Sequence, residues 1–507
     1  MTVVSGSNKR DVIPRWRNLH DTISNGEIGA RGEEPKLDER SERELKRSRS
    51  DWELDRSQIK AAEFISAGLV LGVPSQVQDA VSALLENELP PSLRQLARVV
   101  GLGSGEEVVG HVKAPEVTLN DVQLYIAIAG LKQALVREPR RPLAWLELAR
   151  LYSQLGQIGS ATNSILKSIF LAPNNRYVLR STAAFFTNLG NAERAHSILV
   201  EAERTATDPW LIAAELATAS KSKQKPKFAK KGLAILEDES FRKLSLSELS
   251  AELATMEVRN GRAKRARKLV TLALSNPTEN SVAQVESLSE MDKSIELPSG
   301  SLDLPAAFEA RAKSTLEEGD WVESIDSAEL WLTDQPFSSD AAVFASYAAL
   351  SGLRDFDRAF EFAKRGLKAN PQDAGLMNNA AVAQIEIGNL SVAEDFLKRA
   401  KDLDAPRHTR IALEATLGLL EFRSGFSDEG RVHYEEAIRI AQGERNQTQH
   451  VLASVMLARE EIRYRTLMST AALQRAERLM KRTESKVVKS WLETVEGEYR
   501  NLPESAR

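Results

Sequence analysis

The sequence predicts an all-α protein, a right-handed α-solenoid of about eight helix pairs closed by helical caps. Three observations carry that prediction. The chain has 507 residues, more than one hydrophobic core serves. It overlays on itself when shifted by 34 residues. Its smallest residues also keep fixed distances from its largest. In PLAWLELARLYSQLGQIGSATNSILKSIFLAP, residues 142–173, Trp145 and Tyr152 flank Ala149, and Gly156 and Ala161 follow.

The shift maps Trp145 to Leu179, Ala149 to Ala183, Tyr152 to Phe186, Gly156 to Gly190, Ala161 to Ala195 and Ile165 to Leu199. A second shift lands on Ala213, Ala217, Ser220, Gln224, Ala229 and Leu233, so the phase survives while the residues drift. Two short helices per unit explain the pattern. Small residues sit where the helices cross and let the backbones approach, while large ones fill the flanking grooves. Glycine ends the first helix and proline stops the second. A single pair cannot bury its apolar face, so neighbours must stack.

These residues resemble the tetratricopeptide repeat family in both period and small/large pattern. The match is closest at 142–175, 176–209 and 374–407, weaker at 247–280, 305–338 and 411–444, and degenerate at 210–243 and 339–373. A half-unit, IAIAGLKQALVREP, precedes them with Ala127, Leu131, Ala134 and Pro139 in place.

In chain order, residues 1–56 interleave acids and bases and read as a mobile polar tail. Trp16 and Trp52 stand out there, either docking on a surface or packing on the first helices. Residues 57–118 form short helical patterns broken at Pro74, Pro90 and Pro91, an N-terminal cap. Within them GLGSGEE, 101–107, lacks the lysine and hydroxyl of a phosphate loop and reads as a connection. A first repeat block covers 119–280, a linker rich in proline, glycine and serine covers 281–304, and a second block covers 305–444. Longer amphipathic helices in 445–507 suit a C-terminal cap.

Composition excludes several chemistries. With no cysteine there are no disulfides, thiolate metal sites or thiol nucleophiles. The six histidines lie apart, and no carboxylate pair or nucleophile turn stands out, so no metal, no cofactor and no catalytic residues are expected. A net charge of −4 gives no global pull toward nucleic acid or anionic lipid. MTVVSGSNKRDVIPRWRNLH lacks the apolar core of a secretion signal and FISAGLVLGV is too short to span a bilayer, so a cytoplasmic protein without membrane association is expected.

The resemblance implies that the first helix of each unit lines a concave, ligand-holding surface. Its inward positions, carried onto the second block, fall on Val343, Tyr347, Leu350, Val382, Ile385, Leu419 and Phe422. That apolar list would suit a partner helix or peptide. The family's carboxylate clamp is not matched: Leu146 and Arg150 occupy its first positions, and Asn378 and Asn379 lack the basic pair that should follow. A second candidate is electrostatic. SKSKQKPKFAKK, 220–231, and RNGRAKRARK, 259–268, form a basic edge with Lys223, Lys225, Lys227, Lys230, Arg262, Lys264 and Arg265.

The leading expectation is a non-catalytic scaffold or regulatory subunit holding a protein segment in the concave face. The alternatives are a nucleic-acid-associated factor using the basic edge, and a peptide-responsive regulator bending at 281–304. Homo-oligomerisation is left open.

Overall fold

A computed structural model describes residues 10–17, 37, 39–71, 73–85, 121–238, 241, 243–304 and 306–503. The described residues form 24 α-helices and no strand, and the helices pack in adjacent pairs. The connection GLGSGEE and the expected helix over PSLRQLARVV lie outside the described residues.

The chain divides into two compact units, Asn8–Ala307 and Phe308–Arg507. The first begins with α1 (Glu39–Leu54), α2 (Gln58–Leu71), α3 (Gln78–Leu85) and α4 (Asp121–Arg137). Four pairs follow: α5 (Pro142–Gln154) with α6 (Ile158–Leu171), α7 (Arg176–Asn188) with α8 (Ala192–Glu201), α9 (Pro209–Lys221) with α10 (Ala229–Leu236), and α11 (Lys243–Arg259) with α12 (Ala263–Ala273). An unpaired helix, α13 (Glu279–Met291), ends this unit. The second unit pairs α14 (Phe308–Glu318) with α15 (Trp321–Asp334), α16 (Ser339–Ala348) with α17 (Phe356–Ala369), and α18 (Ala374–Ile387) with α19 (Leu390–Lys401). It continues with α20 (Arg407–Ser424) and α21 (Ser427–Gly443), then α22 (Gln447–Arg463) and α23 (Ser469–Met480), and closes on α24 (Lys486–Arg500).

Local chemistry sets these boundaries. Pro142 and Pro209 open α5 and α9 at positions where the missing N–H costs nothing. Asn175, Asp208, Asp320, Ser338, Asp355 and Asp373 cap helix starts by accepting a hydrogen bond from a backbone N–H of the first turn. Gly388, at φ 99°, ends α18 in the left-handed region. Lys223 takes the equivalent place after α9 at φ 57°, where a side chain is strained. Lys223→Gly is therefore expected to raise the thermal midpoint, by roughly 0.5 kcal/mol of stability once the added freedom of the unfolded chain is subtracted.

The small residues sit at the crossings. Ala149, Ala161, Ala183, Ala195, Ala381 and Ala393 are completely buried. Two parts of the organisation differ from expectation. The linker read over 281–304 is helical to Met291, because Thr278 and Ser281 form a reciprocal capping box and α13 stacks on α11. The tail read over 1–56 is structured in its described parts. Trp52 stacks on Phe64 at 5.7 Å between α1 and α2, and Trp16 is buried in the first unit's inner wall. Trp52 packs locally on the next helix, whereas the apolar surface that buries Trp16 belongs to a distant part of the chain, which composition does not register.

Candidate functional site

The seven residues expected to line an open groove in the second block are all closed off. Val343, Tyr347, Leu350, Val382, Ile385, Leu419 and Phe422 are each at most 6% exposed. Phe422 is packed against Tyr434 of its own helix pair at 6.1 Å and against Tyr464, at the end of α22 in the next pair, at 5.8 Å. Leu350, Val382 and Leu419 do share a cavity, but Trp491 of α24 lines it with them. That helix lies along the second unit's inner side. Lys486 Nζ donates to the carbonyl of Glu318 at 2.7 Å, Arg354 donates to Thr494 at 2.5 Å, and Arg463 pairs with Glu498 at 2.7 Å. Arg354 and Arg459 bracket the Trp491 ring, 4.2 and 5.2 Å from its centre. The chain's own last helix occupies the place foreseen for a partner.

The first unit carries the other inner wall, built from the first helices α7, α9, α11 and the unpaired α13. Residues 177–186, 246–255 and 279–288 are buried without a break, many of them polar. Against them lies Arg10–Arg17, a strap without helix or strand in which the Ile13 N–H donates to the Asp11 carbonyl at 2.7 Å. Arg10 donates to Gln284 at 2.8 Å and to Asn280 at 2.6 Å. The N–H of Val12 donates to Glu252 Oε2 at 2.7 Å, and Arg259 pairs with Asp11 at 2.6 Å. Asn280 and Gln284 also donate to the carbonyls of Ile13 and Arg10. Arg17 grips Glu279 at 2.5 Å while the Tyr177 hydroxyl donates to its carbonyl at 2.6 Å. Trp16, fully buried, meets Phe185 edge to face at 5.8 Å. Main-chain groups are thus met by amides, a hydroxyl and the Glu252 carboxyl, arginines by amides and the Glu279 carboxylate, and the indole by an aromatic ring.

Two carboxyls answer the strap in opposite directions. Burial would push Glu279 up, but the guanidiniums of Arg17 and Arg15 outweigh it and hold its pKa at about 2. Burial and the neighbouring Asp11 push Glu252 up to about 8, against the Val12 N–H and the charges of Arg259 and Arg10. The linkage follows from the sign. With the strap in place Glu252 keeps its proton to about pH 8; water and the loss of Asp11 on release would lower its pKa toward the ordinary 4.5. Its contribution to docking is full below pH 4.5 and lost as pH rises through 8. Raising pH from 6 to 9 is therefore expected to loosen the strap. The readout is the fluorescence difference between the parent and Trp16→Phe, and Glu252→Gln should flatten the alkaline limb.

These groove residues were not singled out from the sequence. The available signal was Glu248, Glu252, Thr255 and Arg259 along one face of α11, with Asn280 and Gln284 one turn apart on α13. Such lines usually mark a solvated face, and the strap they contact lies 240 residues away in sequence for Val12 and Glu252.

The basic edge is exposed at all seven positions, Lys223, Lys225, Lys227, Lys230, Arg262, Lys264 and Arg265. Its first loop is pinned by the fully buried Glu215, which accepts hydrogen bonds from the N–H groups of Lys227 at 2.7 Å and Phe228 at 3.3 Å. Arg262 spends part of its charge on Glu257 at 3.5 Å. Asn378 and Asn379 are internal: Asn379 donates to Ser346 at 3.0 Å, and Asn378 accepts from Thr416 at 2.9 Å. Among the described residues no three or more histidine, aspartate or glutamate side chains gather as a metal site would need, and no helix is long and apolar enough to cross a membrane.

Residues 143–175, the α5–α6 pair, match the family model of the tetratricopeptide repeat. No curated protein sequence matches the chain. The solved structures that are similar to it include the following three. The human IFIT1 dimer with PPP-AAAA is 13% identical, covering 76% of this chain and 95% of that one, with a TM-score of 0.37. The APC/C hetero-tetramer Cut9–Hcn1 is 11% identical over 94% and 95%, with a TM-score of 0.39. Yeast Tom70 is 14% identical over 75% and 93%, with a TM-score of 0.30.

Proposed function

We propose that this tetratricopeptide-repeat chain is a non-catalytic scaffold or regulatory subunit that holds an extended segment of a partner protein against the inner wall of its first unit. The observation that supports it is the lining itself. Glu252 on α11 and Glu279, Asn280 and Gln284 on α13 are buried and aimed at the main chain and arginines of a bound segment. Buried amides and carboxylates are costly unless paired, so a wall of this composition calls for an occupant with matching groups. Extended-peptide capture of this kind draws affinity from main-chain hydrogen bonds and selectivity from side-chain sites.

The nucleic-acid reading keeps one supporting observation, the exposure of the basic edge on a loop anchored by Glu215. The two readings separate by mutation. Glu279→Lys with Tyr177→Ala should abolish capture of an arginine-bearing peptide and leave binding of a labelled oligonucleotide as it was. Reversing the charges of Lys225, Lys227, Lys264 and Arg265 should do the opposite, and would flatten any dependence of oligonucleotide binding on salt. If the groove pair leaves peptide capture intact, the scaffold reading at this wall fails.

A further inference from the structure

The strap that fills the first unit's groove has the chemistry of a ligand, and its fit is imperfect at one point. Three arginines and one aspartate face a wall whose carboxyls are Glu252 and Glu279. Glu279 is well served, with Arg17 at 2.5 Å and Arg15 at 3.7 Å. Glu252 is not. Its Oε2 accepts from the Val12 N–H and its Oε1 meets no hydrogen-bond donor, while the charge of Asp11 opposes those of Arg259 and Arg10 around it. An acidic strap residue beside Glu252 keeps that carboxyl protonated, with one oxygen unpaired, which weakens the resident strap relative to any segment with a basic residue there. The strap is also held by side chains and single hydrogen bonds, with no helix or ladder of its own, so its release breaks no secondary structure.

We propose that Arg10–Arg17 is an autoinhibitory pseudo-ligand, and that the groove's true occupant is an extended protein segment presenting arginine, an aromatic residue and arginine in the register of Arg15, Trp16 and Arg17. The inference rests on the groove reading above and adds to it the chemistry of the partner and the way access is controlled. The partner's arginines take Glu279, its aromatic ring takes the place against Phe185, and its main chain takes the donors of Asn280 and Gln284. An entering segment binds only the fraction of molecules whose groove is open, so the strap lowers apparent affinity by that fraction.

The test uses the full chain and a fluorescent synthetic peptide of residues 8–18, NKRDVIPRWRN, read by anisotropy. The variant Trp16→Ala with Arg17→Ala opens the groove and is expected to bind the peptide at least tenfold more tightly than the parent, which corresponds to a groove self-occupied about nine-tenths of the time or more. A peptide with glutamates at the positions of Arg15 and Arg17 should bind neither protein. Adding Glu279→Lys to the opened variant should abolish binding. If the opened variant does not fold, Arg10→Ala with Arg17→Ala serves in its place, since it leaves the buried indole. Equal binding by parent and opened variant overturns autoinhibition while the groove reading stands. Binding by neither, with melting curves intact, overturns both. A parent dimer that the peptide dissociates means the strap reaches a second copy, which also overturns an intramolecular latch.

Discussion

Replacing Arg459 by methionine is expected to destabilise the second unit by about 3 kcal/mol, the low end of what loss of one partner costs in a buried ion cluster. Arg459 is 2% exposed and pairs with Glu386 and Glu460, each at 2.6 Å, while its guanidinium also faces the Trp491 ring. Burial would raise the pKa of Glu386, but Arg459, Arg423 and Arg463 together hold it below the ordinary carboxylate value. Methionine keeps the volume and removes the largest of those charges. Arg423, 3.1 Å from Glu386 and 3.5 Å from Glu460, compensates in part, which is why the low end is expected. The measurement is the urea midpoint followed by circular dichroism. Arg475→Ala, which breaks a half-exposed pair with Glu435 at 2.6 Å, is the comparison and should cost less than about 1 kcal/mol. Similar costs for the two would mean that the cluster does not hold α18, α20 and α22 together. The same cluster gives α24 a role beyond capping, because it fixes the indole that closes the cavity.

Gly418→Ala should cost roughly 1–3 kcal/mol through overpacking. A Cβ built at Gly418 on α20 would lie 2.6 Å from the Tyr434 ring and 2.8 Å from the carbonyl oxygen of Gly430 on α21. Gly430 is the reciprocal case, 2.8 Å from the carbonyl of Gly418. The two backbones touch, and neither ring nor carbonyl can yield by side-chain rotation alone. Gly130→Ala is the control, in the interior of α4 with nothing within 4 Å of the added atom. It should stabilise by about 1 kcal/mol through helix propensity. Thermal melts of the two variants should move in opposite directions. A neutral Gly418→Ala would mean that the helices can separate, and the small-residue account of the crossing would fail.

How far the sequence could be read depended on how local each signal was. Ala149 and Ala183, or Gly156 and Gly190, repeat at 34 residues because each helix pair meets the same neighbour in the same way, so one period encodes the architecture. The groove residues expected in the second block, Val343, Tyr347 and Leu350 among them, are covered rather than open. Their local pattern says which way they face but not what stands in front of them. Trp16 shows the same limit from the other side: its type marked it as unusual in a polar stretch, while Phe185, its partner, is 169 residues further along the chain.

Helix pairing, the small residues at the crossings and the turns that end each first helix were determined by the sequence alone, since they depend on neighbours within one or two repeats. Only the tertiary structure decided that both inner walls are occupied, one by Arg10–Arg17 and the other by Lys486–Arg500. The physical reason is that stacking curves a line of helices until segments far apart in sequence meet across it. Periodicity records the wall, but only folding brings the occupant to it.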